Sequence, residues 1–141
     1  MKISKINKEF LNLYYKKKLI AYELDYDNGK VYLTDIYRLY IINMEDMALN
    51  FQLFKPVSLK QLIDDTGYVD GIITNTIYNY KDNYRLITGL IGKDNLLHIK
   101  VNDKFLDLFD NPEVKIKDNK SPVLVYENNE IVGLVIPVKE Y

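Results

Sequence analysis

Three segments of the chain share one pattern, and this internal repeat restricts the fold more than any other feature of the sequence. In each segment a β-branched residue is followed by Asn or Ser, then by largely polar positions and then by apolar ones; the segments are 6–11, 57–62 and 101–106. Asn and Ser accept hydrogen bonds from the free N–H groups of a helix's first turn. The repeat therefore predicts three short amphipathic helices, N-capped by Asn7, Ser58 and Asn102.

Extended segments rich in Ile, Val, Thr and Tyr follow each predicted helix, with hairpin turns such as Asp27-Asn28-Gly29 between them. The predicted strands are 19–26, 30–35, 38–43, 71–80, 84–91, 113–117, 122–126 and 130–137. A unit of one helix with its strands, repeated every 44 to 51 residues, buries its apolar face only by packing on its copies. We therefore expect one α+β body over residues 1–141, with short helices on antiparallel sheets and units of about 1–50, 51–95 and 96–141.

Composition excludes several kinds of chemistry. The chain has 141 residues, no cysteine and a single histidine, His98, and its net charge is −1. Thiolate nucleophiles, zinc sites and most histidine-based acid–base schemes are therefore not expected. We predict no catalytic residue, cofactor or metal site and interpret the chain as non-enzymatic, with carboxylate chemistry as the remaining enzymatic alternative.

The N-terminal residues lack the apolar core of a signal peptide, and no apolar run is long enough to span a membrane. We therefore expect a cytoplasmic protein without a membrane partner. Abundant Lys, Asn, Ile and Tyr, with only two arginines, indicate AT-rich coding DNA, such as that of a low-GC bacterium or its phages and plasmids.

Segment 29–39 (GKVYLTDIYRL) resembles a strand pair of bacterial DNA polymerase sliding clamps, the β subunit. In that family Thr-Asp-Gly precedes an aromatic residue or His and then Arg-Leu, and Ile36 stands here at the glycine position. Segment 54–62 is similar to the following strand and second helix of a clamp domain. Segment 84–91 is similar to a strand further on. Segments 101–109, 114–118, 121–125 and 134–139 resemble the last clamp half-domain, which ends in a Pro-containing apolar run.

The resemblance implies a clamp-like fold of repeated half-domains whose helices hold duplex DNA through non-specific contacts between lysines and phosphates. The expected DNA-binding residues are Lys5, Lys8, Lys16, Lys17, Lys18, Lys60 and Lys104. It also implies a groove for a polymerase-type or other protein client, formed by Ile136, Pro137 and Val138. The alternative for all of these residues is a structural role, as solvated helix faces and a buried edge strand.

A bacterial clamp chain contains six half-domains, whereas this chain accounts for about three, so the resemblance implies a homo-oligomer. Four chains would supply the twelve half-domains of a ring. The expected function is a clamp-like processivity accessory in phage or mobile-element DNA replication. The alternative is a small phage- or plasmid-encoded inhibitor that binds a host or defence protein with a clamp-derived fold and does not bind DNA.

Overall fold

Residues 1–138, which a computed structural model of the protein describes, form two α-helices and ten β-strands in an α+β arrangement. The chain divides into two units, Met1–Asp64 and Asp65–Tyr141. Lys139, the last residue of the clamp-like tail, and the two residues after it lie outside the described part. Among the helices of residues 1–138, none is long and apolar enough to cross a membrane.

The first unit consists of one α-helix and a four-stranded sheet. The strand order is β4-β1-β2-β3, with antiparallel pairs except for the parallel pair of β1 and β4. Its elements are α1 (Ile3–Tyr15), β1 (Ala21–Asp25), β2 (Lys30–Thr34), β3 (Arg38–Asn43) and β4 (Lys55–Pro56). Short 3-10 turns occupy Met44–Asp46, Phe51–Leu53 and Lys60–Leu62.

The second unit is an antiparallel sheet in the strand order β10-β9-β8-β5-β6-β7. Its elements are β5 (Val69–Tyr80), β6 (Asp82–Ile91), β7 (Asn95–Asn102), α2 (Asp103–Leu106), β8 (Glu113–Ile116), β9 (Val123–Glu127) and β10 (Glu130–Val135). Each extended segment predicted from the sequence contains a strand, which confirms that part of the prediction. His98 is an exposed residue of β7, as expected of a surface strand position.

Only one of the three predicted helix starts is confirmed. Asn102 caps α2, since its Oδ1 accepts from the Lys104 backbone N–H at 3.0 Å, and α2 covers only four residues. Asn7 does not cap α1, because the helix begins at Ile3 and Asn7 lies buried within it. A local capping rule located the helix but placed its first residue too late.

The helix predicted to begin at Ser58 is wrong, because this segment forms only the 3-10 turn Lys60–Leu62. The carboxylate of Glu23 on β1 accepts hydrogen bonds from the backbone N–H groups of Leu59 and Lys60. Leu59 is buried whereas Leu62 is exposed, so a longer helix here would gain little apolar burial against its nucleation cost.

The core of the first unit forms around β3, in which Arg38 to Ile42 are buried without interruption. Such a run indicates that both faces of the strand are covered. From α1, Ile6 and Phe10 are fully buried, and the Phe10 ring meets the Tyr40 ring edge-on at 6.0 Å. This packing determines which face of α1 points away from the sheet.

Arg38 is the most constrained charged group of this core, with 4% of its surface exposed. Its Nε lies 3.1 Å from Asp35 Oδ2, and its Nη1 forms an ion pair with Glu9 of α1. The guanidinium carbon also lies 5.2 Å from the Phe10 ring centre and 5.6 Å from that of Tyr40. One buried cation therefore joins the helix, the β2–β3 turn and β3.

Asp35 also shapes the β2–β3 turn. Its Oδ1 accepts from the backbone N–H groups of Tyr37 and Arg38, at 3.1 and 3.2 Å. Ile36, at the turn's tip, adopts φ +87°, a left-handed conformation that strains a β-branched side chain. At Ile36 the turn therefore has a backbone geometry that suits glycine better than a β-branched residue.

Replacing Ile36 with glycine should stabilise the protein. A left-handed backbone conformation destabilises the fold by about 1–2 kcal/mol when an L-residue adopts it. Glycine removes this strain, but it loses more backbone entropy on folding, which offsets part of the stabilisation. We expect Ile36→Gly to raise the free energy of unfolding by roughly 0.5–1 kcal/mol in urea titrations. Tyr37→Gly is the control, since Tyr37 is similarly exposed but has no positive φ; an equal gain there would contradict the strain at Ile36.

Removing the Arg38 charge should destabilise the protein strongly. Arg38→Met leaves the buried carboxylate of Asp35 without its cation, a loss of about 3 kcal/mol or more for a buried pair. The matched control is Arg85→Met: Arg85 forms a 2.9 Å ion pair with Asp103 but is more exposed, so the loss should be smaller. Equal shifts of the urea midpoint in the two variants would contradict a special role for Arg38.

Candidate nucleic-acid interface

The outward face of α1 carries a row of lysines. Ile6 and Phe10 face the core, whereas Lys5, Lys8 and Lys16 are exposed. Lys5 and Lys8 are three positions apart, and Lys16, the C-cap residue, lies close to three full turns beyond Lys5, so the three positions follow one side of the helix. The structure thus brings together three of the lysines expected to bind DNA.

No free carboxylate interrupts this lysine row. Among residues 1–18 there are six lysines and one acidic residue, Glu9. Glu9 forms an ion pair with Arg38, which also pairs with Asp35, while no ion pair engages Lys5, Lys8 or Lys16 within residues 1–138. This end of the chain is therefore strongly cationic although the whole chain has a net charge of −1.

Lys16, Lys17 and Lys18 close the C-terminal end of α1. The Lys17 N–H donates to Tyr14 O and the Lys18 N–H to Leu13 O, each at 3.0 Å, which is the Schellman pattern. Lys17 has φ +57° at the position where glycine is usual. Cations here also interact favourably with the negative end of the helix dipole.

A surface pocket of about 480 Å³ lies beside this end of the helix. Aromatic and aliphatic side chains and three lysines line it; they are Tyr14, Tyr15, Leu19, Ile20, Leu53 and Phe54, with Lys17, Lys18 and Lys55. The Tyr14 ring lies 5.9 Å from the Tyr15 ring and 5.9 Å from the Phe54 ring, centre to centre. We call these nine residues the aromatic–lysine pocket.

This pocket was not predicted from the sequence, although one signal for it is present there. Tyr14 and Tyr15 directly precede Lys16 to Lys18, and aromatic residues interleaved with basic ones are typical of single-strand nucleic-acid sites. Phe54 and Lys55 reach the pocket through tertiary structure, since the Lys55 N–H donates to Ile20 O at 3.1 Å. Sequence spacing alone does not reveal that contact.

Lys60 and Lys104, the other lysines expected to bind DNA, have different surroundings. The Lys60 Nζ forms a 2.9 Å ion pair with Asp25 Oδ2, which reduces the charge that it offers to a ligand. Lys104 is exposed on α2 of the second unit and is flanked by Asp103 and Asp107. Neither lysine belongs to the row on α1.

The residues expected to form a partner groove lie at the end of the described chain. Pro137 is buried, and Ile136 and Val138 are half-buried. The Val138 N–H donates to the Lys100 carbonyl of β7 at 2.8 Å, so this run packs beside an edge strand of the second unit. The role of these three residues as a groove stays a prediction.

The Asp25–Lys60 pair should make stability depend on acid pH. Hydrogen bonds from Asn28 and Lys60 hold the pKa of the Asp25 carboxyl below its ordinary value of 3.8. Because the folded pKa is the lower one, the stabilisation is complete above 3.8 and is lost as the pH falls through the folded value. We expect the difference in unfolding free energy between the wild type and Asp25→Asn to shrink in that acid range.

A direct check is the Asp25 pKa itself, measured by carboxyl NMR in the wild type and in Lys60→Met. The pKa should move back toward 3.8 when Lys60 is removed. An unchanged pKa would show that Asn28 alone sets it and that Lys60 is not engaged in solution.

Comparison of the chain with protein-family models, with curated proteins and with solved structures finds no match. The resemblance to sliding clamps therefore stays a prediction from the sequence.

Proposed function

We propose that the protein is a non-enzymatic, clamp-like DNA-binding accessory in phage or mobile-element replication. The observation that carries the proposal is the outward face of α1, where Lys5, Lys8 and Lys16 form a row without a free carboxylate. Such a row attracts phosphates of duplex DNA and releases counterions, without reading base sequence. The proposed client is a polymerase-type protein bound near Ile136, Pro137 and Val138.

The proposal includes assembly of several copies of the chain, as the clamp resemblance implies. β4 and β7 are terminal in the strand orders of their units, and terminal strands are natural places for pairing between copies. A closed assembly would retain DNA by topology, so a weak and non-specific contact at each lysine row would suffice. Retention on circular DNA and loss after linearisation would be its signature.

Charge reversal on α1 tests the proposal. In Lys5→Glu/Lys8→Glu, duplex binding should weaken and the slope of log K against log salt should fall by about 1.8, since each phosphate contact contributes about 0.9. Fluorescence anisotropy with a labelled duplex measures both. Retention on closed-circular DNA, followed by gel filtration with light scattering, should fall in parallel.

The matched control is Lys93→Glu/Lys120→Glu, which makes the same change in net charge at exposed positions of the second unit. This control should keep both the wild-type salt slope and the wild-type retention. If the two double variants behave alike, the lysine row is not the DNA-binding surface. A monomer that ignores circular DNA would overturn the clamp-like assembly.

The second candidate function is an inhibitor that binds a host or defence protein, and one surface favours it. The end of the β5–β6 hairpin is exposed from Asn75 to Asn83 and includes Ile77, Tyr78 and Tyr80. Exposed aromatic side chains of this kind are common anchors of protein interfaces. Under this function, Lys5→Glu/Lys8→Glu would leave inhibition of the target protein unchanged, whereas substitutions in the hairpin would abolish that inhibition.

A further inference from the structure

The aromatic–lysine pocket differs in composition from the lysine row beside it. Six of its nine lining residues are aromatic or aliphatic, three are lysines, and none is acidic. Its volume of about 480 Å³ falls within the 300–1,000 Å³ typical of small-ligand sites. Charge complementarity requires an anionic occupant, and the aromatic wall favours one with a flat apolar face.

Tyr15 provides the most accessible ring of this wall. It is 71% exposed, on the last turn of α1, and its ring is tilted by 58° to that of Tyr14. Tyr14 is in turn supported by Phe54, which is buried. An exposed tyrosine on a supported aromatic cluster suits the stacking of a nucleic-acid base.

The lysines surround the aromatic residues on two chain segments. Lys17 and Lys18 belong to the helix C-terminal turn, and Lys55 belongs to β4, whose backbone is fixed by the bond from Lys55 N–H to Ile20 O. No ion pair engages any of the three within residues 1–138. Phosphates on either side of a stacked base would therefore find ammonium groups from both segments.

Position along the helix favours a DNA strand over an acidic peptide. The row extends about 16 Å along the helix axis from Lys5 to Lys16, at 1.5 Å per residue, and it ends beside the pocket. A strand that separates from a duplex held on this row would meet the tyrosines next. A peptide would need no such continuity with a phosphate-binding face.

We propose that the aromatic–lysine pocket binds an unpaired nucleotide of single-stranded DNA. The base stacks on Tyr15, and the flanking phosphates contact Lys17, Lys18 and Lys55. This site goes beyond the proposed duplex binding, and its assignment to a DNA strand rather than an acidic peptide rests on that proposed function.

The test compares a fluorescein-labelled oligothymidylate of twelve nucleotides with a labelled duplex, by anisotropy on the full chain. Tyr15→Ala should weaken single-strand binding about tenfold, as expected for loss of one stacked base, and leave duplex affinity unchanged. Lys55→Glu should act in the same direction. The matched control is Tyr80→Ala, because Tyr80 is also 71% exposed but lies at the end of β5.

Photo-crosslinking locates the contact independently of affinity. An oligonucleotide with 5-iododeoxyuridine should crosslink to Tyr14 or Tyr15, as identified by mass spectrometry of the tryptic peptides. Circular-dichroism melting of each variant verifies that it folds. Equal single-strand affinities for Tyr15→Ala and Tyr80→Ala, or a crosslink confined to other peptides, would overturn the proposal.

Three further outcomes separate this site from the proposed function. Loss of duplex binding in Lys5→Glu/Lys8→Glu with single-strand binding retained supports two distinct surfaces. Thymidine monophosphate binding as tightly as the oligonucleotide would overturn the assignment to a strand in favour of a free nucleotide. Tighter binding of labelled polyglutamate than of labelled oligothymidylate, lost in Tyr15→Ala, would overturn it in favour of an acidic peptide.

Discussion

The guanidinium of Arg38 is the group on which the arrangement of the first unit depends, since a buried cation must be neutralised and hydrogen-bonded where it lies. Asp35 and Glu9 neutralise it, and the rings of Phe10 and Tyr40 cover it. Because Glu9 belongs to α1, this cluster fixes the rotation of the helix about its axis. It also engages Glu9, the only carboxylate of α1, in an ion pair, although that side chain remains 33% exposed.

Strands were predictable because their signal is local. Alternating β-branched and aromatic residues, with a turn such as Asn28-Gly29, specify hairpins without reference to the rest of the chain. Helix starts were harder, because a capping residue works only where the helix gains enough burial to continue. After Ser58, the backbone N–H groups of Leu59 and Lys60 donate instead to the carboxylate of Glu23. Glu23 lies 36 residues before Leu59 in the sequence, so no local rule reveals that contact.

The candidate site likewise has one part that local sequence spacing predicts and one part that it does not. The lysine row follows from helical periodicity, so Lys5, Lys8 and Lys16 could be predicted from the sequence together with the clamp resemblance. The pocket could not, because Phe54 and Lys55 approach Tyr14 and Lys17 only after β4 pairs in parallel with β1. Parallel pairing between residues as far apart as Ala21 and Lys55 leaves no periodic trace in the sequence.

Charge distribution, rather than net charge, decides what such a surface can do. With a net charge of −1 the chain has little long-range attraction for DNA, but exposed charges are screened beyond about 8 Å at physiological salt in any case. A ligand at α1 therefore responds to the lysines within that distance and hardly to carboxylates further away. The DNA contact that we propose would therefore be local, sensitive to salt and indifferent to sequence, which suits the proposed encircling assembly better than tight binding by a single chain.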